Sequence, residues 1–355
     1  MASGLDDVVA AETVLSDVDG AGGRLTIRGH ALADLSGHWS AEAAIALLLD
    51  GFYDLPEPRA LRKMLGEARA DVHARIAALL PQLSALGAYD GMRAGIALLP
   101  DGDTLDDALR LIAAPAVLLP AILRIARGEV PLAPRAGLGH AGDMHRMLSG
   151  VETPVQAHAL ETYLVTVCDH GLNASTFAAR VVASTGAGLM SSALAGLGAL
   201  KGPLHGGAPG PVIEMLDAVA AAGDARAWLV DRVRRGERLM GFGHRIYRVR
   251  DPRADALKAA LRPLGGGRIA FAEDVERVAL DVLREHKPHR RLDTNVEFYT
   301  ALLLEAVGFP PHAFTGVFAA GRMTGWLAHA REQALTGRLL RPQSRYVGPM
   351  PGLAA

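Results

Sequence analysis

Apolar residues recur at three- and four-residue spacings along most of the chain, and this periodicity limits the fold more than any other feature. Leu105, Ala108, Leu109 and Ile112 show the pattern after a Thr-Leu-Asp-Asp start that suits a helix N-cap. The spacing predicts a helix over residues 104–127. Related patterns predict further helices over residues 41–50, 154–168, 173–186, 211–222, 252–261, 271–286, 297–308 and 313–335.

Strand signals are sparse and lie near the N-terminus. Residues 13–15 and 25–28 carry strand-forming side chains on either side of a Gly-rich turn at 19–23. They predict one β-hairpin, so the expected fold class is mostly α with a small N-terminal hairpin. A length of 355 residues predicts about two domains. Because no low-complexity linker is present, we expect a domain boundary in the Gly- and Pro-containing segments 202–211 and 308–316.

Composition excludes several classes of protein. Half of the residues are hydrophobic, which supplies a large core, and the net charge of −1 lacks the basic excess expected of a nucleic-acid-binding protein. Cys168 is the only cysteine, so no intramolecular disulfide can form and a cytoplasmic location is expected. The N-terminus lacks the pattern of a signal peptide. The apolar stretch Leu111–Leu123 is interrupted by Pro115 and Pro120, so no membrane span is expected.

Three segments interrupt the helical pattern and place a histidine beside glycine or aspartate. Glycine lets a ligand approach the backbone and exposes amide donors, while histidine exchanges protons near neutral pH. A histidine on such a loop is accessible and can still be held in place for general acid–base catalysis. A fourth segment places Glu297 in apolar surroundings. The histidine segments are Cys168-Asp169-His170-Gly171-Leu172-Asn173-Ala174-Ser175-Thr176, Lys201-Gly202-Pro203-Leu204-His205-Gly206-Gly207 and Gly241-Phe242-Gly243-His244-Arg245-Ile246-Tyr247.

Other kinds of site are disfavoured by spacing. No His-x-x-x-His pair carries an adjacent glutamate and only one cysteine is present, so we expect no metal site. Gly241-Phe242-Gly243 lacks the third glycine and the preceding strand of a dinucleotide-binding turn. A Gly-x-x-x-x-Gly-Lys-Ser/Thr phosphate loop and a Gly-x-Ser-x-Gly nucleophile elbow are also absent from the sequence.

Taken together, these segments closely resemble the citrate synthase family. Gly-Pro-Leu-His-Gly-Gly at 202–207 and Gly-Phe-Gly-His-Arg-x-Tyr at 241–247 occur in the order found in the family, and Asp-His-x-x-Asn-Ala-Ser-Thr precedes them at 169–176. The resemblance extends from Glu12 to Tyr346, and the chain is similar to the short bacterial and archaeal type.

The resemblance implies an almost all-helical, citrate synthase-like homodimer with two domains in each chain. The large domain would comprise residues 1–211 and 315–355, and the small domain residues 212–314. The active site would lie in the cleft between them, and closure of the cleft would exclude water and complete the site. The implied substrates are oxaloacetate and an acyl-CoA, with no tightly bound cofactor and with no nucleic-acid or membrane partner.

The resemblance also assigns roles by position. His205 matches the histidine that hydrogen-bonds the thioester carbonyl and stabilises the enol, and His244 matches the one that polarises or protonates the 2-oxo carbonyl. Glu297 occupies the place of the acid that removes the α-proton. A dianion needs several guanidinium groups, whose forked donors match carboxylates. The diacid binders are matched by His170, Arg253 and Arg322, with Arg341 supplied by the partner subunit. Candidates for the CoA phosphates are Arg248, Arg250 and Lys258.

Structural alternatives remain open for several of these residues. Arg253 could pair only with a nearby acid at the start of a helix, His170 could be a satisfied helix-end histidine, and Arg341 could be a solvated surface side chain. The sequence also departs from the family at two positions of the site. Glu297 replaces the usual aspartate, which would displace the carboxylate by about 1 Å unless the backbone adjusts. Pro209-Gly210 stands where the family often has Asn-Glu.

Three functions follow from these observations. The first is condensation of acetyl-CoA with oxaloacetate and water to give citrate and CoA, an acyltransferase reaction. The second is formation of 2-methylcitrate from propionyl-CoA, which differs by one methylene that a pocket discriminates by only about 1–3 kcal/mol. The third, suggested by the departures at Glu297 and Pro209, is a catalytically silent relative that binds an acyl-CoA or a diacid.

Overall fold

A computed structural model describes residues 8–207 and 209–349, and these residues are mostly helical. The N-terminal residues 1–7, part of the segment in which we expect no signal peptide, lie outside the described residues, as do residues 350–355. The strands, in chain order, are β1 (Ser16–Asp19), β2 (Arg24–Ile27) and β3 (His30–Ala31). The helices are α1 (Leu32–Leu35), α2 (Ala41–Leu49), α3 (Pro58–Ile76), α4 (Leu80–Ser84), α5 (Ala88–Ala97), α6 (Leu105–Ala126), α7 (His140–Ser149), α8 (Pro154–Thr166), α9 (Ala174–Ala183), α10 (Leu189–Leu200), α11 (Pro209–Ala222), α12 (Ala225–Arg234), α13 (Pro252–Leu261), α14 (Gly267–His286), α15 (Val296–Ala306) and α16 (Phe314–Thr336).

The strands form one antiparallel sheet in the order β1-β2-β3. Ser16 pairs with Ile27 and Asp19 with Arg24, so the predicted hairpin is confirmed with a third short strand added. The first strand begins at Ser16 rather than at residues 13–15. Just before it, the Val14 amide donates to the Glu332 carboxylate at 2.9 Å, which fixes the chain to helix α16 instead of extending the sheet.

Helix α6 begins as the sequence predicts and then runs through both of its prolines. Thr104 and Asp107 form a capping box at its start. Pro115 and Pro120 each remove a backbone donor, yet the helix continues to Ala126. It is long and apolar enough to cross a membrane, but 83% of its apolar window is buried inside the protein. Packing against neighbouring helices therefore accounts for its composition and offsets the cost of the two prolines.

Helix α16 forms the centre of the core and brings polar side chains into it. The helix is buried along most of its length and packs against α6, α9 and α10. Arg322, Trp326 and His329 lie on it and are each at most 1% exposed. Such residues are rarely buried without partners, so this stretch of α16 identifies a polar site inside the molecule.

Candidate active site

Three helices that begin at Asn or Asp caps present site residues from their first turns. Asn173 caps α9 by accepting from the amides of Ser175 and Thr176, and Asp251 caps α13 by accepting from the amide of Arg253. Asn295 caps α15 in the same way, with its side chain bound to the Glu297 amide. Because the cap fixes the first turn, the chain holds one functional side chain at the second position of each helix: Ser175, Arg253 and Glu297.

The ring of His244 is anchored by backbone. Its Nδ1 accepts the amides of Ile246 and Tyr247, each at 3.0 Å. A nitrogen that accepts carries no proton, so the neutral ring must carry its proton on Nε2. Burial, reinforced by the Arg253 charge, lowers the pKa of His244 to about 4, and the ring is therefore neutral at pH 7. His244 thus presents a neutral Nε2–H donor.

Arg253 is buried and already has a carboxylate partner. Its Nε donates to Asp251 at 3.0 Å and its Nη2 donates to the other Asp251 oxygen at 2.7 Å. Arg253 therefore does pair with a nearby acid, as one structural alternative expected. The same Nη2 also lies 3.3 Å from His244 Nε2. Both atoms carry protons, so neither can accept from the other, and a bound acceptor oxygen would satisfy both donors.

His170 completes an aromatic cluster with His244 and Tyr247. Its ring centroid is 5.8 Å from that of His244 and 5.6 Å from that of Tyr247, and its Nε2 lies 3.1 Å from the Tyr247 hydroxyl. Burial and the charges of Arg253 and Arg322 lower the pKa of His170 well below its usual value. The ring is thus neutral and fixed beside the His244 loop.

His205 is anchored by a side chain instead of by backbone. Its Nε2 lies 2.7 Å from Ser175 Oγ, and that oxygen also accepts from Trp326 Nε1 at 3.1 Å. The hydroxyl proton can go to His205 or to Asn173 Oδ1, which is 2.7 Å away. Burial and the charges of Arg322 and Arg253 lower the pKa of His205 to about 4, so this ring is also neutral at pH 7.

Arg322 carries an unused donor in a buried position. Its Nε donates to the Val167 carbonyl at 2.6 Å, while its Nη2 is buried without a hydrogen-bond partner in the described part of the chain. Burial lowers the pKa of Arg322 to about 10, so the group keeps its charge at pH 7. An unpaired buried guanidinium donor is costly, and an anionic ligand would satisfy it.

Asp169 and His329 hold the polar region behind Arg322. His329 Nδ1 is 2.8 Å from Arg180 Nη1 and accepts from it, so its Nε2 carries the proton and donates to Asp169 at 3.2 Å. Ser16 donates to the same Asp169 oxygen at 2.5 Å. The opposite charge of Asp169 lies close enough to raise the pKa of Arg322, although burial outweighs it. These contacts fix the loop on which His170 lies.

The Glu297 carboxylate lies in this cluster without a hydrogen-bond partner among the described residues. Within residues 8–207 and 209–349 its side chain makes no hydrogen bond, and only its amide is held, by Asn295. Burial raises the pKa of Glu297 to about 7, although the charges of Arg253 and Arg322 lower it. A carboxyl group with such a pKa can accept a proton at neutral pH.

The structure brings six of the predicted site residues together and leaves four outside the cluster. Arg253 and Arg322 lie close enough to act on the ionisation of Glu297 and of two histidines. The six are His170, His205, His244, Arg253, Glu297 and Arg322. Of the others, Arg341 is exposed in the extended segment after α16. Arg248 is exposed but close enough to His244 to affect its pKa.

Arg250 and Lys258 pair with Glu276, outside the cluster of six. Glu276 accepts from Arg250 at 2.7 Å and from Lys258 at 3.3 Å. It also accepts from the hydroxyls of Thr294 and Tyr299 at 2.7 and 2.5 Å. Arg250 and Lys258 are therefore held in a partly buried ionic cluster around Glu276. Sequence spacing gave no sign of this cluster because Glu276 lies on a different helix.

Some site residues had no role before the structure was known. Ser175, Tyr247 and Asp251 lie inside the histidine segments or next to them, and Trp326 lies one turn beyond Arg322 on α16. Proximity in sequence to the matched residues was the available signal. Among the described residues, no group of three or more His, Cys, Asp or Glu side chains could hold a metal ion.

Comparisons with known proteins agree with this geometry. A profile described as "Citrate synthase, C-terminal domain" matches residues 4–343. The chain is 40% identical over 358 residues to "Putative citrate synthase 2" of Mycobacterium tuberculosis, covering 98% of this chain and 93% of the relative. It is 36% identical to the citrate synthase of Haloferax volcanii, over 97% and 95% of the two chains. It is 35% identical to the 2-methylcitrate synthase of Mycobacterium tuberculosis, over 97% and 90%.

A solved structure extends the likeness to three dimensions. The chain is similar to citrate synthase from the archaeon Thermoplasma acidophilum in a ternary complex with carboxymethyl coenzyme A and oxaloacetate. The TM-score is 0.87 at 28% sequence identity, covering 99% of this chain and 97% of the other.

Proposed function

Because this chain belongs to the citrate synthase family, we propose that it condenses acetyl-CoA with oxaloacetate and water to give citrate and CoA. The observation that carries the proposal is one cluster with complementary groups. It contains an unpartnered carboxylate with a pKa of about 7, two neutral imidazoles and two buried guanidiniums. Synthesis of 2-methylcitrate from propionyl-CoA is the second candidate, and identities of 36% and 35% to relatives of the two kinds favour neither.

The first step is removal of an α-proton from the thioester. Glu297 is the base, because its carboxylate is free of other hydrogen bonds and has a pKa near neutrality. The α-carbon is weakly acidic, so charge that develops on the thioester oxygen must be stabilised at the same time. His205 supplies this donor from Nδ1 when Ser175 donates to its Nε2, because a neutral ring whose Nε2 accepts carries its proton on Nδ1.

The second step is attack of the enol carbon on the 2-oxo carbon of the diacid. We place the carbonyl oxygen against His244 Nε2 and Arg253 Nη2, two donors 3.3 Å apart that share no acceptor among the described residues. As the carbon–carbon bond forms, negative charge passes from the thioester oxygen to this oxygen, where the hydrogen bond from His244 Nε2–H and the charge of Arg253 stabilise the alkoxide. The alkoxide then takes up one proton, which replaces the proton that Glu297 removed, so His244 stays neutral. Water then hydrolyses the thioester of the condensed product and releases CoA.

Binding of the diacid follows from the unused donors. Arg322 Nη2 is buried without a partner among the described residues, and His170 is 5% exposed and lies 5.8 Å from His244 between ring centroids. A carboxylate bound to Arg322 would satisfy this donor and gain a charge-assisted hydrogen bond. For the CoA phosphates we favour Arg248, which is exposed, over Arg250 and Lys258, which Glu276 already neutralises.

The division into domains is part of the proposal. The large domain would comprise residues 1–211 and 315–355 and would contain His170, His205 and Arg322. The small domain would comprise residues 212–314 and would contain His244, Arg253 and Glu297. The reaction centre would then form where the two domains meet, and rotation of the small domain would open it to substrates. A cytoplasmic location remains a prediction from the single, buried Cys168.

We also propose a homodimer in which Arg341 of one chain completes the site of the other. Arg341 lies in an extended tail whose large apolar side chains are exposed: Leu339 by 59%, Tyr346 by 68% and Val347 by 85%. Exposed apolar side chains of this size favour contact with another protein surface. Mixing Glu297→Gln and Arg341→Ala chains would restore activity, because a heterodimer contains one intact site. A monomer with full activity would contradict the dimer.

Thiol release tests the function. CoA release is followed with acetyl-CoA or propionyl-CoA, each in the presence of oxaloacetate. We expect release with both, and the ratio of kcat/KM decides between citrate and 2-methylcitrate synthesis. If CoA is released with neither thioester, the result contradicts the proposal and supports the catalytically silent alternative.

A further inference from the structure

The turn of the N-terminal hairpin, residues 19–24, lies directly against the loop that carries His244. The Arg248 amide donates to the Gly20 carbonyl at 2.8 Å. A Cβ atom at Gly20 would lie 2.5 Å from the Ile246 carbonyl oxygen, and one at Gly23 would lie 2.6 Å from Val249 Cγ2. Both distances are shorter than side-chain contacts allow, so this approach requires glycine at both positions.

The hairpin turn is fixed by its own hydrogen bonds. Asp19 Oδ1 accepts the amides of Ala21 and Gly22 at 3.1 and 2.7 Å. Arg24 Nη2 donates to Asp19 Oδ2 at 2.7 Å. A turn closed in this way presents a defined backbone surface to residues 246–249.

The other end of β1 is fixed to the loop that carries His170. Ser16 Oγ donates to Asp169 at 2.5 Å and accepts the Gly171 amide at 2.9 Å. The hairpin therefore connects the segments on either side of His170 to the loop of His244. In the proposed domain division these two segments belong to different domains.

One peptide group links the hairpin to the ring of His244. The Ile246 carbonyl faces Gly20, and the N–H of the same peptide, that of Tyr247, donates to His244 Nδ1 at 3.0 Å. A peptide group is planar, so a displacement of its oxygen also moves its N–H. A side chain added at Gly20 would thus disturb one of the two hydrogen bonds that keep the proton of His244 on Nε2.

We propose that the hairpin turn, residues 19–24, is a positioning element for His244, which it holds through the Ile246–Tyr247 peptide as an Nε2–H donor. This inference rests on the proposed function for its catalytic consequence, but the orientation of the ring can be measured without it. It assigns a role in the reaction to residues far from the histidine segments in sequence.

Gly20→Ala tests the inference, because Gly20 does not have a positive φ and alanine would add only the contact with Ile246. We expect kcat for condensation to fall by at least about tenfold, since displacements near 1 Å can cost about 100-fold. Exchange of the thioester α-protons in D2O, measured with a diacid that lacks the 2-oxo group, requires only Glu297 and His205 and should stay within about twofold. The matched control is Gly137→Ala, where nothing lies within 4 Å of the new Cβ.

Nitrogen NMR of histidine-labelled protein gives an answer that does not depend on activity. Wild type should show His244 with a protonated Nε2 and an unprotonated Nδ1, and Gly20→Ala should show a mixture of tautomers. Any of three results with Gly20→Ala would overturn the inference. They are unchanged condensation, an equal loss of condensation and of α-proton exchange, and an unchanged His244 signal. If wild type lacks condensation but the tautomer shifts, only the proposed function fails. Should Gly20→Ala not fold, Asp19→Ala loosens the same turn without added bulk and should change the same signals.

Discussion

His205 and His244 lie in similar surroundings, but their rings are held in different ways. Burial, reinforced by guanidinium charges, lowers the pKa of each to about 4. Two backbone amides fix the tautomer of His244, whereas the hydroxyl of Ser175, which can donate or accept, holds His205. His244 is therefore limited to one tautomer, with Nε2–H as its donor. His205 can change its tautomer as the oxygen it binds gains charge, because its partner hydroxyl can donate or accept. The difference fits a fixed proton donor at the diacid and an adjustable one at the thioester.

The largest expected effect is the fall in kcat on substitution of Glu297, the proposed base. Glu297→Gln removes the acceptor for the α-proton and should lower kcat by about 10²–10⁴-fold. Steady-state CoA release measures it. The matched control is Glu305→Gln in the same helix, which only pairs with Arg268 at the surface and should stay within about twofold of wild type. Near-full activity of Glu297→Gln would show that another group is the base.

Substitution of each histidine in turn should separate the two halves of the reaction. Both His205→Asn and His244→Asn should lower condensation by about 10²–10³-fold. Exchange of thioester α-protons in D2O should be lost in His205→Asn and retained in His244→Asn, because we assign the thioester oxygen to His205 and the 2-oxo oxygen to His244. Equal loss of exchange in both variants would remove the distinction between them.

The pH dependence of kcat/KM should reflect the ionisation of Glu297 and not that of His205 or His244. Burial raises the pKa of Glu297 to about 7, so the carboxyl is protonated and inactive below that pH. We expect kcat/KM to fall by about tenfold per pH unit below pH 7 and to level off above it. Both histidines stay neutral above pH 5, since their pKa values lie near 4. A pH profile that is flat from 5 to 8 would contradict the raised pKa of Glu297.

The smallest expected effect tests the hydroxyl anchor itself. Ser175→Ala removes one hydrogen bond from His205, worth about 0.5–1.5 kcal/mol, so kcat should fall by about tenfold or less. Ser175→Thr keeps the hydroxyl and serves as the control. The condensation rate and the α-proton exchange rate should fall together, since both depend on His205. A selective loss of condensation would place Ser175 on the diacid side instead.

The sequence predicted most of the candidate site because its three histidines lie in short loops with recognisable neighbours, while Arg253, Glu297 and Arg322 were matched by position and lie on helices. His170, His205, His244, Arg253, Glu297 and Arg322 were all matched by motif or position, and the structure brings them together. Partners from distant segments could not be found by spacing. Glu276 binds Arg250 across 26 residues, and Ser16 binds Asp169 across 153.

Two helices show where a local pattern succeeds and where it fails. Periodicity predicted helix α6 over residues 104–127, and the structure confirms it although Pro115 and Pro120 favour a break, because burial along the helix stabilises it. Helix α10, Leu189–Leu200, has an apolar, Gly-rich sequence without a polar face, so periodicity gave no signal for it. Tertiary packing decided both cases, and packing is not visible in a local pattern.

A crystal structure of the enzyme with oxaloacetate and a carboxymethyl-CoA analogue would test the central claim most directly. We expect the analogue to place its acyl oxygen within about 3 Å of His205 Nδ1 and its reactive carbon beside the Glu297 carboxylate. The 2-oxo oxygen of the diacid should lie between His244 Nε2 and Arg253 Nη2, with a carboxylate on Arg322. Ligands bound elsewhere, or a structure in which Glu297 and the two histidines face separate cavities, would contradict it.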